Sequence, residues 1–368
     1  MNNENLDTNK LSKTKRKWYH YLLLILLIII LLFGAFLAYL TINEYKPEPI
    51  EEALTSEKLK TELVDDDEIS ILSFNTGYAG LDKAQDFLMD GGSGVGATKV
   101  SEVENNIKGI KEILDDQDAD IYILQETDLK AKRTFDINQI EAYSETLDDY
   151  NWYYAPNFLC KFVPYPLQAP IASIDAGITT FTKFEVNEAS RIAMPNPFSW
   201  PVRTANLKRC LLLTRMPIED SDKELVVINF HLEAYDDGEG KKAQTKQLLS
   251  ILNEEYNKGN YVIAGGDFNQ TFPDVNIEVK ETSHWVPGKL DAFSEEMNEW
   301  RYIYDDTTPT CRLLNQPYMA SEELHQTYVI DGFIVSPNIE VRSIQTINED
   351  FEYSDHNPVM MKIKLINE

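Results

Sequence analysis

Three cysteines in 368 residues, Cys160, Cys210 and Cys311, are too few and too widely spaced for a disulfide framework or a structural zinc site. They read as small buried side chains. Basic residues are scarce too, with 34 Lys and Arg against 61 Asp and Glu. The first 42 residues hold five basic and two acidic side chains, so the formal charge of −27 for the whole chain deepens to −30 over residues 43 to 368. Nucleic-acid binding draws much of its affinity from Lys and Arg on phosphates. This balance lowers the expectation of a DNA or RNA partner while leaving room for a local basic cleft. No internal repeat is visible.

Formal charge is absent altogether from Trp18 to Asn43, and Tyr21 to Leu40 is almost wholly Leu, Ile, Phe and Ala. At ~1.5 Å per residue this run is long enough to cross a bilayer as a helix. A cleaved signal peptide is the alternative, but its apolar region usually covers only ~7–15 residues, and no convincing small-x-small site follows. An uncleaved anchor is therefore expected, and the lack of a nearby cysteine excludes a lipoprotein signal. Lys10, Lys13, Lys15, Arg16 and Lys17 precede the run, whereas Glu44, Glu48, Glu51 and Glu52 follow it. A basic flank normally stays in the cytoplasm, which puts the rest of the chain outside the cell membrane. Trp18, Tyr19, Tyr21 and Tyr39 stand where an interfacial aromatic belt would be.

The chain thus divides into a basic cytoplasmic tail (1–17), a transmembrane anchor (18–42), an acidic, proline-punctuated tether that is partly helical (43–67), and one large domain (68–368). In the tether, apolar positions such as Leu54, Leu59 and Leu63 are only scattered. The domain opens with a strand, Ile69 to Phe74, delivering Asn75. A glycine-rich loop and a helix with Val103, Ile107, Ile110 and Leu114 on one face follow. Ala119 to Leu124 then reads as a buried strand delivering Glu126. Further strands are expected at Trp152–Ala155, Gly177–Phe181, Arg209–Arg215, Leu225–Phe230, Tyr261–Ala264, Tyr328–Val335, Glu340–Ile347 and Val359–Leu365. A helix from Lys242 to Tyr256 places Leu248, Ile251 and Leu252 together. Strands outnumber helices and alternate with them irregularly, which fits two packed sheets with helices outside.

Two loops invite other readings. Gly92-Ser93-Gly94-Val95-Gly96-Ala97 matches the dinucleotide-binding glycine pattern, but that fingerprint must follow a strand directly. Here Leu81 to Met89 reads as helical, so a surface loop near the site is expected. Residues 153–171 are rich in Pro and aromatics, too proline-broken for a strand or helix. They either shape a substrate entrance, with Phe158, Phe162 and Tyr165 stacking on a base or dipping among lipid head groups, or pack as a structural flap.

Six polar signatures fall at or just past the ends of apolar, strand-like runs: Ser73-Phe74-Asn75, Gln125-Glu126, Asn229-Phe230-His231, Gly266-Asp267-Phe268-Asn269, Ile330-Asp331 and Ser354-Asp355-His356. Pleating puts Asp267 and Asn269 on one side and Glu126 on the face of Leu124 and Tyr122. Carboxylates, carboxamides and two histidines without a thiolate suit a hard divalent cation and a phosphate ester better than zinc.

In this order and spacing, from about Glu68 to about Ile366, the set resembles the endonuclease/exonuclease/phosphatase superfamily, which includes exonuclease III, pancreatic deoxyribonuclease, inositol polyphosphate 5-phosphatases and neutral sphingomyelinases. The resemblance implies an α/β (α+β) four-layer α/β/β/α sandwich of two mixed sheets. It also implies Mg2+ or Mn2+ dependence and hydrolysis of phosphoester bonds. Glu126 resembles the magnesium ligand, with Asn75 assisting from the adjacent strand end and Asp355 contributing. Asp267 resembles the water-orienting base and Asn269 the phosphate-holding carboxamide. His356 resembles the histidine that binds the scissile phosphate, oriented by Asp331. His231 resembles the second histidine of the deoxyribonuclease and sphingomyelinase branches. His20, His284 and His325 lie outside these motifs. Where one branch has Ser-Arg after the strand at Phe181, this chain has Thr182-Lys183, and a lysine is only a point charge. Arg191, Lys208 and Arg209 are the other candidates for a phosphate clamp.

The expected function is an outward-facing, membrane-anchored phosphodiesterase or phosphatase. His231 and the acidic surface tilt the substrate toward a lipid head group or small phosphoester, with a sphingomyelinase-like activity slightly favoured. An extracellular nuclease and a catalytically silent binding domain are the alternatives, and no protein partner is inferable.

Overall fold

The computed structural model describes residues 8–56, 61–64, 68–276, 280, 284–319 and 325–366, with side chains from Trp18 onward. Leu59 of the expected tether and the side chains of Lys10, Lys13, Lys15, Arg16 and Lys17 lie outside the described residues. Two seven-stranded mixed sheets pack face to face. Across the first, the strands run Ile339–Thr346, Val359–Leu365, Ile69–Asn75, Ile121–Ala131, Ala172–Thr182, Asn151–Val163 and Leu54–Thr55. Across the second they run Ile50–Glu52, Glu188–Ala193, Cys210–Pro217, Glu224–His231, Tyr261–Asp267, Asp331–Val335 and Arg301–Ile303.

Alternation along the strands builds three layers of core. Ile71, Ile121 and Ile123 meet Leu212, Val227 and Ile263 between the sheets. Tyr122 and Leu124, on the opposite face, receive Ile110 and Leu114 of the helix Val100–Gln117. Val226 and Ile228 receive Leu248 and Leu252 of the helix Glu239–Asn257. Each such side chain contributes about 1.5–3 kcal/mol on burial. The result is the expected four-layer sandwich of two mixed sheets flanked by helices.

Several local expectations are corrected. Residues 43–67 are not a free tether. Ile50–Glu52 pairs with Glu188–Ala193, Leu54–Thr55 pairs with the strand Asn151–Val163, and Leu63 is buried beside Ile218. The segment thus joins an edge of each sheet, where open backbone N–H and C=O groups offer it partners. Leu81 to Met89 is not a helix; it is an irregular loop ending in a short 3-10 turn, Leu88–Asp90. Residues 153–163 belong to the long strand Asn151–Val163, whose register shifts between Pro156 and Phe158, so the proline sits at an irregularity that spares the ladder. The run Tyr328–Val335 is broken: Thr327–Tyr328 pairs with Cys311–Arg312, and a separate strand begins at Asp331.

One buried network locks the sheets together beneath the polar signatures. Gln125 Nε2 donates to Asn229 Oδ1 at 2.8 Å. Asn229 Nδ2 donates to the carbonyls of Leu124 (3.1 Å) and Thr179 (3.0 Å). These carbonyls flank the place where the strand Ile121–Ala131 slips register between Leu124 and Thr127. Replacing Asn229 with leucine should leave buried polar groups unpaired at that slip. We expect Asn229→Leu to lose about 2–4 kcal/mol of stability, read as a lower denaturant midpoint, whereas an unchanged midpoint would show that the network does not hold the sheets.

Candidate functional site

The polar signatures converge because parallel strands end, and antiparallel strands begin, at one edge of the sandwich. Ile69–Asn75 and Ile121–Ala131 are parallel, as are Glu224–His231 and Tyr261–Asp267, where Asp267 lies opposite His231. Asp331 opens its strand and does not close one, and it lies opposite Asp267 because that pairing is antiparallel. Asp355 and His356 likewise precede Val359–Leu365, which runs antiparallel to Ile69–Asn75.

Glu126 does not follow the alternation of Tyr122 and Leu124. Its φ of 55° lies in the left-handed region, inside the register slip, and this re-aims the side chain toward Asn75. Thr76 Oγ1 pins the slip by donating to the carbonyls of Gln125 (3.1 Å) and Glu126 (3.2 Å). Asn269 also has a positive φ, 50°, and lies beyond the strand end, yet it lines the same cavity as Asp267. Its amide N–H donates to Asp267 Oδ1 at 2.8 Å and its Nδ2 to the Leu232 carbonyl at 2.9 Å.

Asn75 stands at the centre. Its Nδ2 lies 3.1 Å from Asp267 Oδ2, 3.4 Å from Glu126 Oε1 and 3.4 Å from His356 Nε2. His356 Nδ1 and Asp331 Oδ2 are 2.8 Å apart. His231 Nε2 is 3.3 Å from Asp267 Oδ2, and its Nδ1 is 3.9 Å from Glu126 Oε1. Ser354 Oγ donates to the Asn75 carbonyl at 2.8 Å, which ties the Asp355-His356 loop to the first sheet. Gly77, at φ 52°, makes this approach possible, because a Cβ there would lie 2.7 Å from Asp355 Oδ1.

Burial sets the protonation of these groups. It raises Asp267 well above the usual carboxylate range, and the nearby charge of Asp331 adds to this. Asp355 is raised by burial first; the charge of His356 opposes the rise and that of Glu126 adds to it. Burial pulls His231 well below the ordinary imidazole value, helped by Arg209 and His356, so its ring is neutral. Burial also pulls His356 down, but the charge and hydrogen bond of Asp331 and the contact with Cys311 outweigh it, so His356 is raised well above 6.5 and is an imidazolium.

The expected phosphate clamps fare unequally. Lys183 pairs with Asp118 at 2.7 Å and lies over the Tyr150 ring, away from the cavity. Arg191 is buried in structural bonds to the carbonyls of Pro156 (2.8 Å) and Lys208 (2.9 Å). Lys208 pairs with Glu44 at 3.1 Å, just past the apolar helix. Arg209 alone of the four lines the cavity, 3.6 Å from Glu233, and its buried Nε and Nη1 have no hydrogen-bond partner. Arg133 and Arg312, which the sequence did not single out, line it too. Arg133 is held by Asp128 at 2.8 and 3.1 Å with the Tyr78 ring 3.6 Å from its guanidinium. No recognisable motif surrounds either arginine, and only folding brings them to the site.

Two groups of oxygen donors face one another across Asn75. Asp267, Asp331 and His356 have ligand atoms within 4.8 Å of one another, but Asp331 and His356 already engage each other. Glu126 and Asp355 are less committed, and Glu126 is the most open carboxylate of the group. Carboxylate oxygens suit a hard cation such as Mg2+ or Mn2+, which would favour the ionised form of Asp355 that burial, and then the charge of Glu126, disfavour.

A two-sheet sandwich that gathers acid, amide and imidazole groups at one edge is the arrangement that the sequence resemblance implies. The chain belongs to the Endonuclease/Exonuclease/phosphatase family, whose sequence model matches residues 72–356. Members of this family are typically divalent-metal-dependent phosphoester hydrolases. A search of curated proteins found no match. Among solved structures, the chain is similar to an endonuclease/exonuclease/phosphatase from Beutenbergia cavernae, with 17% identity and a TM-score of 0.56 over 82% of this chain and 72% of that one. It is also similar to one from Bacteroides vulgatus, with 14% identity and a TM-score of 0.53 over 81% and 99%. Identity at this level speaks for the fold.

The Asp331–His356 pair gives a direct spectroscopic expectation. In metal-free protein followed by NMR, His356 should stay protonated well above pH 6.5 while His231 stays neutral. Asp331→Asn should lower the His356 midpoint, and an unshifted midpoint would show that the pair is not coupled.

Proposed function

We propose that this chain is a membrane-anchored, outward-facing, magnesium-dependent phosphoester hydrolase acting on a lipid head group or a small phosphoester. The observation that carries this reading is the meeting of Glu126, Asp267, Asp355 and His356, the last held by Asp331 from behind, in a cavity whose remaining lining is mostly apolar with three arginines. An apolar helix, Trp18–Ile42, precedes the domain and is compatible with a single-pass anchor or a signal sequence. The basic residues before it and the acidic ones after it favour a cytoplasmic N-terminus.

Glu126 and Asp355 would hold the cation, which supplies charge neutralisation at the phosphoryl and leaving oxygens. Asn75, expected to assist, turns its Nδ2 to Glu126 and Asp267 and its Oδ1 to the Gly77 N–H, so it would position those carboxylates. His356, kept protonated by Asp331, donates from Nε2 to a phosphoryl oxygen. Asn269 holds a second phosphoryl oxygen through its carboxamide. Asp267, its carboxylate fixed by Asn75 and the Asn269 N–H, orients a water and takes its proton as the new phosphorus–oxygen bond forms. The bond from phosphorus to the ester oxygen breaks, and the leaving oxygen takes a proton from solvent water. Neutral His231 is placed to hydrogen-bond the substrate beside Asp267 without adding charge. Arg209, whose Nη1 makes no hydrogen bond and whose Nε lies 3.6 Å from Glu233, would contribute positive charge to the phosphate.

The test uses the full chain in lipid nanodiscs with Mg2+ on sphingomyelin, bis(p-nitrophenyl) phosphate and plasmid DNA. Hydrolysis of the lipid or the small diester is expected, and chelator should abolish it. Asp267→Asn and His356→Ala should each slow it ~10²–10⁴-fold while the far-ultraviolet spectrum stays native. Cleavage of DNA alone would move the reading to a nuclease. No cleavage of any substrate, together with no thermal shift on adding Mg2+, would move it to a silent binding domain.

The rate should also fall on acidification at a pH above the ordinary carboxylate range. Asp267 is raised by burial, so it takes up its proton there and ceases to act as a base. An acid limb at the value of a solvated carboxylate, about 3.9, would count against Asp267 as the base. Saturating Mg2+ at about 100 times its Kd should stabilise the fold by about 2.7 kcal/mol, and Glu126→Gln should remove most of that gain in a thermal melt.

A further inference from the structure

The apolar helix Thr8–Ile42 does not end free of the domain. Phe36, Leu37, Leu40 and Thr41 lie one turn apart on a single helical face, and that face turns inward. Leu40 is 6% exposed, whereas Leu31, one face away and nearer the middle of the span, is 62% exposed. The Phe36 ring meets Phe162 edge-on at 6.3 Å between centroids. Trp200 Nε1 donates to Thr41 Oγ1 at 3.1 Å. Just past the helix, Glu44 is buried between Lys208 (3.1 Å) and Arg203 (3.2 Å). The end of the helix is thus latched by aromatic, hydrogen-bond and ionic contacts.

That latched end is also a wall of the catalytic cavity. One cavity of about 660 Å³ is bounded by Glu126, Asp267 and His356 at its polar end and by Phe36, Leu37 and Leu40 at the other. Phe158 and Val163, from the strand Asn151–Val163, complete the apolar side. If the docked turns from Phe36 onward are set aside, Trp18 to Ala35 remains, and at ~1.5 Å per residue it spans ~27 Å, close to the ~30 Å of a hydrocarbon core. The docked face therefore falls at the bilayer surface. Beside it, large apolar side chains stand in the open: Trp200, bonded to Thr41, is 50% and Val202, a cavity residue, 57% exposed. Such groups are costly in water and at home in the interfacial layer.

We propose that the last turns of the membrane helix are part of the substrate site. The cavity opens at the bilayer surface and admits a phosphoester amphiphile from the adjoining leaflet. Its phosphate lies at the polar end, and the first carbons of its acyl chains lie against Phe36, Leu37, Leu40, Phe158 and Val163. The helix is then a specificity-determining element as well as an anchor. It favours lipids over polynucleotides and over head groups without chains. This inference rests on the hydrolase reading for its reaction but on the cavity for its occupant, and the two are tested separately.

The probe is a phosphatidylcholine carrying a diazirine near the start of one acyl chain, placed with the full chain in nanodiscs and photolysed. Lipid outside the cavity reaches the open faces of Trp18–Ala35, whereas Phe158 and Val163 are buried and line the cavity. Cross-links mapped by mass spectrometry to peptides containing Phe158 and Val163 are expected. They should fall at least ~5-fold in Leu37→Trp, which fills the apolar end, and in Val202→Lys, a change at an exposed rim position that leaves the core intact. Cross-links confined to Trp18–Ala35, or unchanged in both variants, would overturn the proposal. Hydrolysis of bis(p-nitrophenyl) phosphate by the same nanodiscs reads the reaction independently. Turnover without cavity cross-links overturns the lipid site and keeps the hydrolase. Cavity cross-links without turnover keep the lipid site and remove the reaction.

Discussion

Four carboxylates held at one buried edge of a two-sheet core repel one another, and much of the local structure exists to tolerate that repulsion. Asn75 turns the donor end of a carboxamide toward two of them, so Asp267 and Glu126 each find a donor in it. Asp331 spends its charge on His356. Burial raises Asp267 and Asp355 because water cannot reach them to share the load. A hard cation and a phosphate ester are the natural complements of such a site, the first for its excess of negative oxygen and the second for its imidazolium and arginines.

The backbone carries this site through departures from regular structure. Glu126 reaches Asn75 from a register slip with a positive φ, and Gln125, Asn229 and Thr76 hold that slip from three directions. The Asp355-His356 loop approaches only because Gly77 has no Cβ. At Gly266 a Cβ would overlap the Phe230 carbonyl, so only glycine lets Asp267 lie this close to its parallel neighbour. Strain of this kind persists where the surrounding core over-determines it, and here both sheets and their helices do so.

The same cavity joins the polar cluster to the apolar N-terminal helix. Its apolar walls come from a long strand, a short loop and the end of the helix. Ile50–Glu52 and Leu54–Thr55, which follow that helix, pair with an edge of each sheet instead of spacing the domain away from it. Lys208, well placed in sequence to hold a phosphate, serves as a latch on Glu44. A positively charged side chain in an acidic protein pairs wherever folding brings a carboxylate near, and sequence order does not reveal which.

The sequence by itself determined the layers and the polar groups that cluster at one edge. Period-two apolar runs specified most of the strands, period-3.6 faces specified the helices at Val100–Gln117 and Glu239–Asn257, and the polar signatures marked Asn75, Glu126, His231, Asp267, Asn269, Asp331, Asp355 and His356, all of which the fold gathers at one edge. It misread Leu81 to Met89 as helix and residues 153–163 as loop, because pattern and proline content speak of local preference, whereas pairing with a neighbouring strand is a long-range gain. Only the tertiary structure decided that Asp331 opens a strand, that Arg133, Arg209 and Arg312 reach the cavity while Lys183 and Arg191 do not, and that the apolar helix forms one of its walls. These are distances between parts of the chain far apart in sequence, fixed by how the two sheets pack and by which way each pairing runs, and no local pattern records them.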